Sequence, residues 1–178
     1  MSTHYFVISA LGPDRPGLVA DLTAFLDDRG ANIEDSRMAV LGGEFGMMLL
    51  VSGAEDVVSR VEKELATLEA TTGARFLVRR TKSPEEHRRG GALPIAITAE
   101  SFDREGIVRA IAAALHAVSV NIVSLETTQW NAPFTGATLF RIEVHADVPR
   151  ATGLTKVRAA MAEVSARENL DIDVRSLR

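Results

Sequence analysis

Two short stretches hold the residues best suited to chemistry. Leu11–Gly17 reads LGPDRPG and Glu100–Gly106 reads ESFDREG, each between an apolar, strand-like run and a helix-like run. A sharp turn entering a helix aims several unpaired backbone N–H groups at one spot, and that spot favours a carboxylate or another anion. Gly17 and Gly106 would let a ligand approach the backbone closely, and Asp14 and Asp103 could receive an ammonium group. Donors beside a single carboxylate suit the two charged ends of a free amino acid. Asn32-Ile33 and Asn121-Ile122 open the strands that follow. Their amides would add a donor and an acceptor, and the topology is expected to set them beside the same edge of the module as the loops. The plainer structural reading is that Asp14 and Asp103 cap helices, Arg15 and Arg104 are solvated, the glycines pack, and the asparagines shape a turn.

Other chemistry has little support. His4, His87, His116 and His145 lie far apart with no HxH or HxxxH spacing, and there is no cysteine, so no metal site, thiol catalysis or disulfide is expected. No GxSxG, P-loop, HExxH or dinucleotide-binding glycine motif occurs. Asp27-Asp28 and Glu85-Glu86 read as solvated charge. No catalytic residue and no cofactor is expected. The net charge of -4 and the pI near 5.6 argue against direct nucleic-acid binding. A base-stacking sheet of the RNA-recognition kind is disfavoured further, because Ile95 stands where its second copy would need an aromatic. No run is long enough to span a membrane, and a cytoplasmic location is expected.

The elements that must position these loops come in two copies. From Ile8–Ile33 to Ile97–Ile122 a constant offset of 89 aligns ten identical positions without a gap. In the first copy, Tyr5–Ala10 reads as a strand. A helix follows from about Pro16 to Arg29, its stripe formed by Leu18, Val19, Leu22, Phe25 and Leu26. Strands at Asn32–Leu41 and Glu44–Ser52 flank the Gly42-Gly43 turn. A helix over Ala54–Thr71 and a strand over Ala74–Arg80 complete the unit. The second copy repeats the order from Leu93, its first helix running from about Arg104 to Val118. The fold class is α+β: two ferredoxin-like βαββαβ modules, each a four-stranded antiparallel sheet with both helices on one face. Residues 1–81 and 92–178 are the modules and 82–91, KSPEEHRRGG, the linker. One face of each sheet is left open and, if apolar, needs a cover. Apolar residues on both sides of the third strand point to that need, and Met38, Met47 and Met48 are expected to fill core or interface volume. Trp130 and Phe134, around Pro133, are candidates for a partner or intersubunit contact.

Leu11–Met38, LGPDRPGLVADLTAFLDDRGANIEDSRM, resembles the ACT domain, a small ligand-sensing module. FDREGIVRAIAAALHAVSVNIVSLET resembles it again, so the likeness covers nearly the whole chain. The double arrangement resembles the glycine cleavage system transcriptional repressor family, and the first copy resembles the amino-terminal ACT domain of formyltetrahydrofolate deformylase. The resemblance implies a regulatory fold that often binds an amino acid, such as glycine or serine, between ACT modules. It implies ligand contacts at Gly12, Asp14, Arg15, Pro16, Gly17, Asn32 and Ile33, and at Asp103, Arg104, Gly106, Asn121 and Ile122. Glu105 replaces the loop proline and Ser101-Phe102 replaces Gly12-Pro13, which sets the second loop apart. The repressor-like family further implies a cytoplasmic homo-oligomer acting through a DNA-binding protein partner. A constitutive interaction module and a small amino-acid- or folate-related enzyme are the alternatives.

Overall fold

The computed structural model of the chain describes residues 2–87, 91–102, 105–132 and 136–177. It divides into two compact units, Met1–Arg88 and Arg89–Arg178. The first contains strand β1 (His4–Pro13), helix α1 (Leu18–Asp27), β2 (Asn32–Leu41), β3 (Glu44–Gly53), α2 (Glu55–Thr72) and β4 (Arg75–Thr81). A one-turn helix α3 (Pro84–His87) follows, inside the stretch expected to be a linker. The second contains β5 (Leu93–Phe102), α4 (Ile107–Ala117), β6 (Asn121–Asn131), β7 (Thr138–Val148), α5 (Gly153–Glu168) and β8 (Asp171–Ser176). The sheets have the orders β2-β3-β1-β4 and β6-β7-β5-β8, all neighbours antiparallel. Both modules are therefore βαββαβ.

Alternation along the central strands makes each core. Phe6, Ile8 and Ala10 on β1 and Met47, Leu49 and Val51 on β3 face the helices and pack with Leu18, Leu22, Phe25 and Leu26 of α1. Ile95, Ile97 and Ala99 on β5 do the same with Ile107, Ile111 and Leu115 of α4. Val19, expected in the buried stripe, is instead 37% exposed, as is its counterpart Val108 at 38%. Both sit in a first helical turn, on the side away from the sheet.

Two boundaries differ from the sequence expectation. Strand β1 continues past Ala10, because Leu11, Gly12 and Pro13 still pair with Gly46, Phe45 and Glu44. Helices α1 and α4 begin later than Pro16 and Arg104, because Gly17 (φ 89°) and Gly106 (φ 90°) stand as left-handed residues at the N-cap. A left-handed residue cannot belong to the right-handed helix, so the helix starts after it. At the far end of the helices the copies also match. Gly30 has φ 75° and Ser119, the residue 89 places on, has φ 58°. The N–H groups of Gly30 and Ala31 donate to Asp27 and Leu26 carbonyls, and those of Ser119 and Val120 to His116 and Leu115 carbonyls.

Candidate functional site

The loop of the first module shrinks to four residues, Asp14–Gly17, held from three sides. The Asp14 N–H donates to the Gly43 carbonyl at 3.0 Å, tying the loop to the β2–β3 turn. Arg15 donates from Nε to the Thr72 carbonyl at 3.3 Å and from Nη1 to the Pro16 carbonyl at 3.1 Å. Its Nη2 meets Asp21 Oδ2 at 2.6 Å. Arg15 is thus not a solvated cation. It staples the loop to the ends of both helices.

Asp14 is not a helix cap either, since α1 has no side-chain cap bond and starts beyond Gly17. Its carboxylate is exposed and has no hydrogen-bond or ion-pair partner among the described residues. The first helical bond runs from the Asp21 N–H to the Gly17 carbonyl, so the N–H groups of Leu18, Val19 and Ala20 have no partner within the helix. A free carboxylate and free N–H groups therefore stand at one end of α1. Pro16 is exposed beside them. Gly12 is a packing residue: a Cβ there would lie 2.6 Å from Ala74 Cα and Cβ.

Asn32 and Ile33 lie at the other end of the module. The sequence placed them beside the loop, but β1 and β2 both run antiparallel to β3 and hence parallel to one another. Helix α1 carries the chain back to the start of the sheet before β2 begins. Asn32 shares a row with Ser52 and Tyr5, while the loop leaves from Pro13. Eight residues at about 3.3 Å each separate those rows by roughly 26 Å. There Asn32 Nδ2 donates to Glu34 Oε1 at 3.0 Å, and the Ser52 hydroxyl donates to the same oxygen at 2.6 Å. The Ser52 bond, and after it the Asn32 bond, hold the Glu34 carboxyl below its ordinary pKa. An open hollow of about 490 Å³, lined by Thr23, Ala24, Leu26, Asp27, Ala31, Asn32 and Ile33, lies at this end. Ile33 packs against the core.

The second module repeats the frame with different groups. The Ala110 N–H donates to the Gly106 carbonyl at 2.9 Å, matching Asp21 and Gly17. Asp103, Arg104 and Phe134 lie outside the described residues. Ala110 replaces Asp21, so the second loop has no such carboxylate for an arginine staple. A hollow of about 500 Å³ lined by residues including Glu100, Ser101, Phe102 and Asp171 lies where β5 ends and β8 begins. Asn121 opens β6 in a row with Asp147 and Pro94, again eight residues from Phe102, which at about 3.3 Å each is roughly 26 Å. A β-bulge falls at the same place in both modules, after Ile33 and after Ile122. Its extra residue is Glu34 in one and the exposed Val123 in the other. Trp130 is 37% exposed in a row with Leu139 and Phe102.

Sequence reasoning missed Glu34, Ser52, Asp21 and Thr72. Glu34 was detectable as a carboxylate two residues after Asn32. Ser52 and Thr72 depend on strand register and chain return, which leave no local mark. Among the described residues no group of three or more His, Cys, Asp or Glu side chains could hold a metal ion, and no helix is long and apolar enough to cross a membrane.

The comparisons with known proteins agree with this geometry. A family model for the ACT domain matches residues 4–78. The glycine cleavage system transcriptional repressor of Escherichia coli (strain K12) is 28% identical over 175 residues, 96% of this chain and 91% of that protein. The crystal structure of an unknown protein from Galdieria sulphuraria superposes with a TM-score of 0.82 at 34% identity, covering 99% of this chain and 100% of that one. That of a provisionally assigned glycine cleavage system transcriptional repressor gives 0.74 at 23% identity, covering 100% and 99%. Residues 4–78 match the family model, so the first module is an ACT domain, and the second module repeats its fold and its left-handed glycine before the first helix.

Proposed function

We propose that this protein is a non-catalytic regulator that senses a small amino acid, such as glycine or serine, and controls transcription or metabolism through a protein partner. The observation that carries the reading is the Asp14–Gly17 loop. It sets an unpartnered carboxylate beside unpaired helix N–H groups, a pairing suited to an ammonium and a carboxylate on one small molecule. The loop and Asn32 lie at opposite ends of a module, so a ligand touching both kinds of group needs the loop of one module and the strand start of another. Ligand binding then favours one association state over another, and the regulated partner reads that state. The likeness to the E. coli repressor supports a regulatory role. A cytoplasmic homo-oligomer acting on a DNA-binding protein is the form of regulation most in keeping with that likeness and with the acidic chain.

The test is calorimetric titration of the purified protein with glycine, serine and a wider amino-acid panel, repeated on Asp14→Ala. Saturable binding is expected, weakened about tenfold or more by loss of the carboxylate, since charge-assisted hydrogen bonds contribute about 1.5–3 kcal/mol. Silence across the panel from well-folded protein would overturn ligand sensing and leave a constitutive interaction module.

A further inference from the structure

The modules share a fold but not a surface. On the open face of the first sheet, away from the helices, the rows read Asp35–Leu50–Val7–Arg79, Arg37–Met48–Ser9–Leu77 and Ala39–Gly46–Leu11–Arg75 across β2, β3, β1 and β4. Leu11 is 59% exposed, Met48 54% and Leu77 65%. In the second module the registers put Glu100 where Leu11 stands, Glu143 where Met48 stands and Asp173 where Leu77 stands. The second face carries charge at these three places, and its apolar side chains, Trp130, Leu139 and Phe102, stand in one row at its end, so the centre of the first face is the one that gains from being covered.

We infer that the open face of the first module is the surface through which two copies of this chain associate, sheet upon sheet. This deepens the self-association in the functional reading by naming its surface. Charge order on the face selects the occupant. A two-fold axis along the strands lays each row on its own reverse, so Asp35 faces the partner's Arg79 and Leu50 faces the partner's Val7. Arg79 has no ion-pair partner within its own chain among the described residues, whereas Asp35 meets Arg37 at 2.6 Å and can share itself between the two. Stacked sheets keep their strands within about 30° of one another, which preserves that pairing. That row is self-complementary, as an isologous contact requires, while the next two set Arg37 over the partner's Leu77 and Ala39 over the partner's Arg75. The size of the face sets the strength. Four strands about 4.8 Å apart and seven residues of about 3.4 Å give a face of roughly 450 Å² per copy, against about 800 Å² per partner in a standard interface. The dimer is therefore concentration-dependent.

Sedimentation velocity of the full chain over a wide concentration range tests this. The expected result is a monomer–dimer equilibrium whose dissociation constant rises on the order of tenfold or more in Met48→Glu and Leu77→Asp, which bring charge into the apolar centre. The second module carries these residue types at the equivalent places on the same fold, so both variants are expected to fold, as circular dichroism checks. Arg79→Glu weakens the dimer, and combining it with Asp35→Arg restores it. A dimer indifferent to all these changes overturns the face while leaving self-association intact. A wild-type monomer at every concentration overturns both.

Discussion

Asn32, Glu34 and Ser52 show how a residue's task is set by neighbours distant in sequence. The Glu34 carboxyl titrates below its ordinary value because the folded chain hands its ionised form two donors, Ser52 first and Asn32 second. A carboxyl whose folded pKa is lowered contributes stability above its unfolded pKa of about 4.3, and loses it as pH falls through the folded value. Asp35, held down chiefly by Arg37, and Glu55, held down chiefly by Arg80, carry the same sign. Carbon-13 titration of the Glu34 side chain is expected to give a midpoint below the ordinary glutamate value, moving back up in Ser52→Ala. An unchanged midpoint in that variant would show that the bond does not form in solution. Gly12 makes a harder demand. Its hydrogen stands where a methyl group would enter the backbone of Ala74, so Gly12→Ala is expected to cost about 1–3 kcal/mol in chemical denaturation. Sequence reading put Gly12 among the ligand contacts because the motif is continuous. Its packing against a residue 62 positions later becomes visible only when the end of α2 meets the end of β1.

At the scale of the element, periodicity and punctuation carried most of what can be read. The Gly42-Gly43 turn, the strands Asn32–Leu41 and Glu44–Gly53 and the apolar stripes of α1 and α4 follow from side-chain spacing alone. The helix starts do not, because Pro16 and Asp14 are plausible first-turn and capping residues on composition. The left-handed backbone of Gly17 overrides them, and the same event recurs at Gly106. Placing Asn32 beside the loop failed for a related reason. Because β1 and β2 run parallel, α1 must return the chain to the far end of the sheet, and that return sets Asn32 away from the loop. The two polar groups expected in one site stand at opposite ends of a module, so the proposed ligand could contact both only by bridging more than one module.

For the whole molecule, duplication was legible from ten identities at one offset, and the fold of each unit followed. The divergence of the open sheet faces was not, since it appears only after β-register assigns Leu11, Met48 and Leu77 to one surface and Glu100, Glu143 and Asp173 to its counterpart. Duplication relaxes the demand that each copy do everything. The first module kept the fuller loop motif, with the arginine staple and its Asp21 anchor, together with the apolar face. The second has the same backbone frame with Ala110 in place of Asp21 and charge in place of Leu11, Met48 and Leu77.

The end of the first helix in each module turns this shared ancestry into an internal control. Gly30 and Ser119 occupy one left-handed position, closed by the same pair of hydrogen bonds, yet only one of them is free of the steric conflict between Cβ and backbone. A left-handed residue with a Cβ costs about 1–2 kcal/mol, and glycine returns part of that through its freer unfolded chain. Ser119→Gly is therefore expected to raise the stability of the second module by about 0.5 kcal/mol in denaturant unfolding, and a loss would show that the serine hydroxyl compensates locally. The protein thus carries, 89 residues upstream, the glycine that this left-handed position favours.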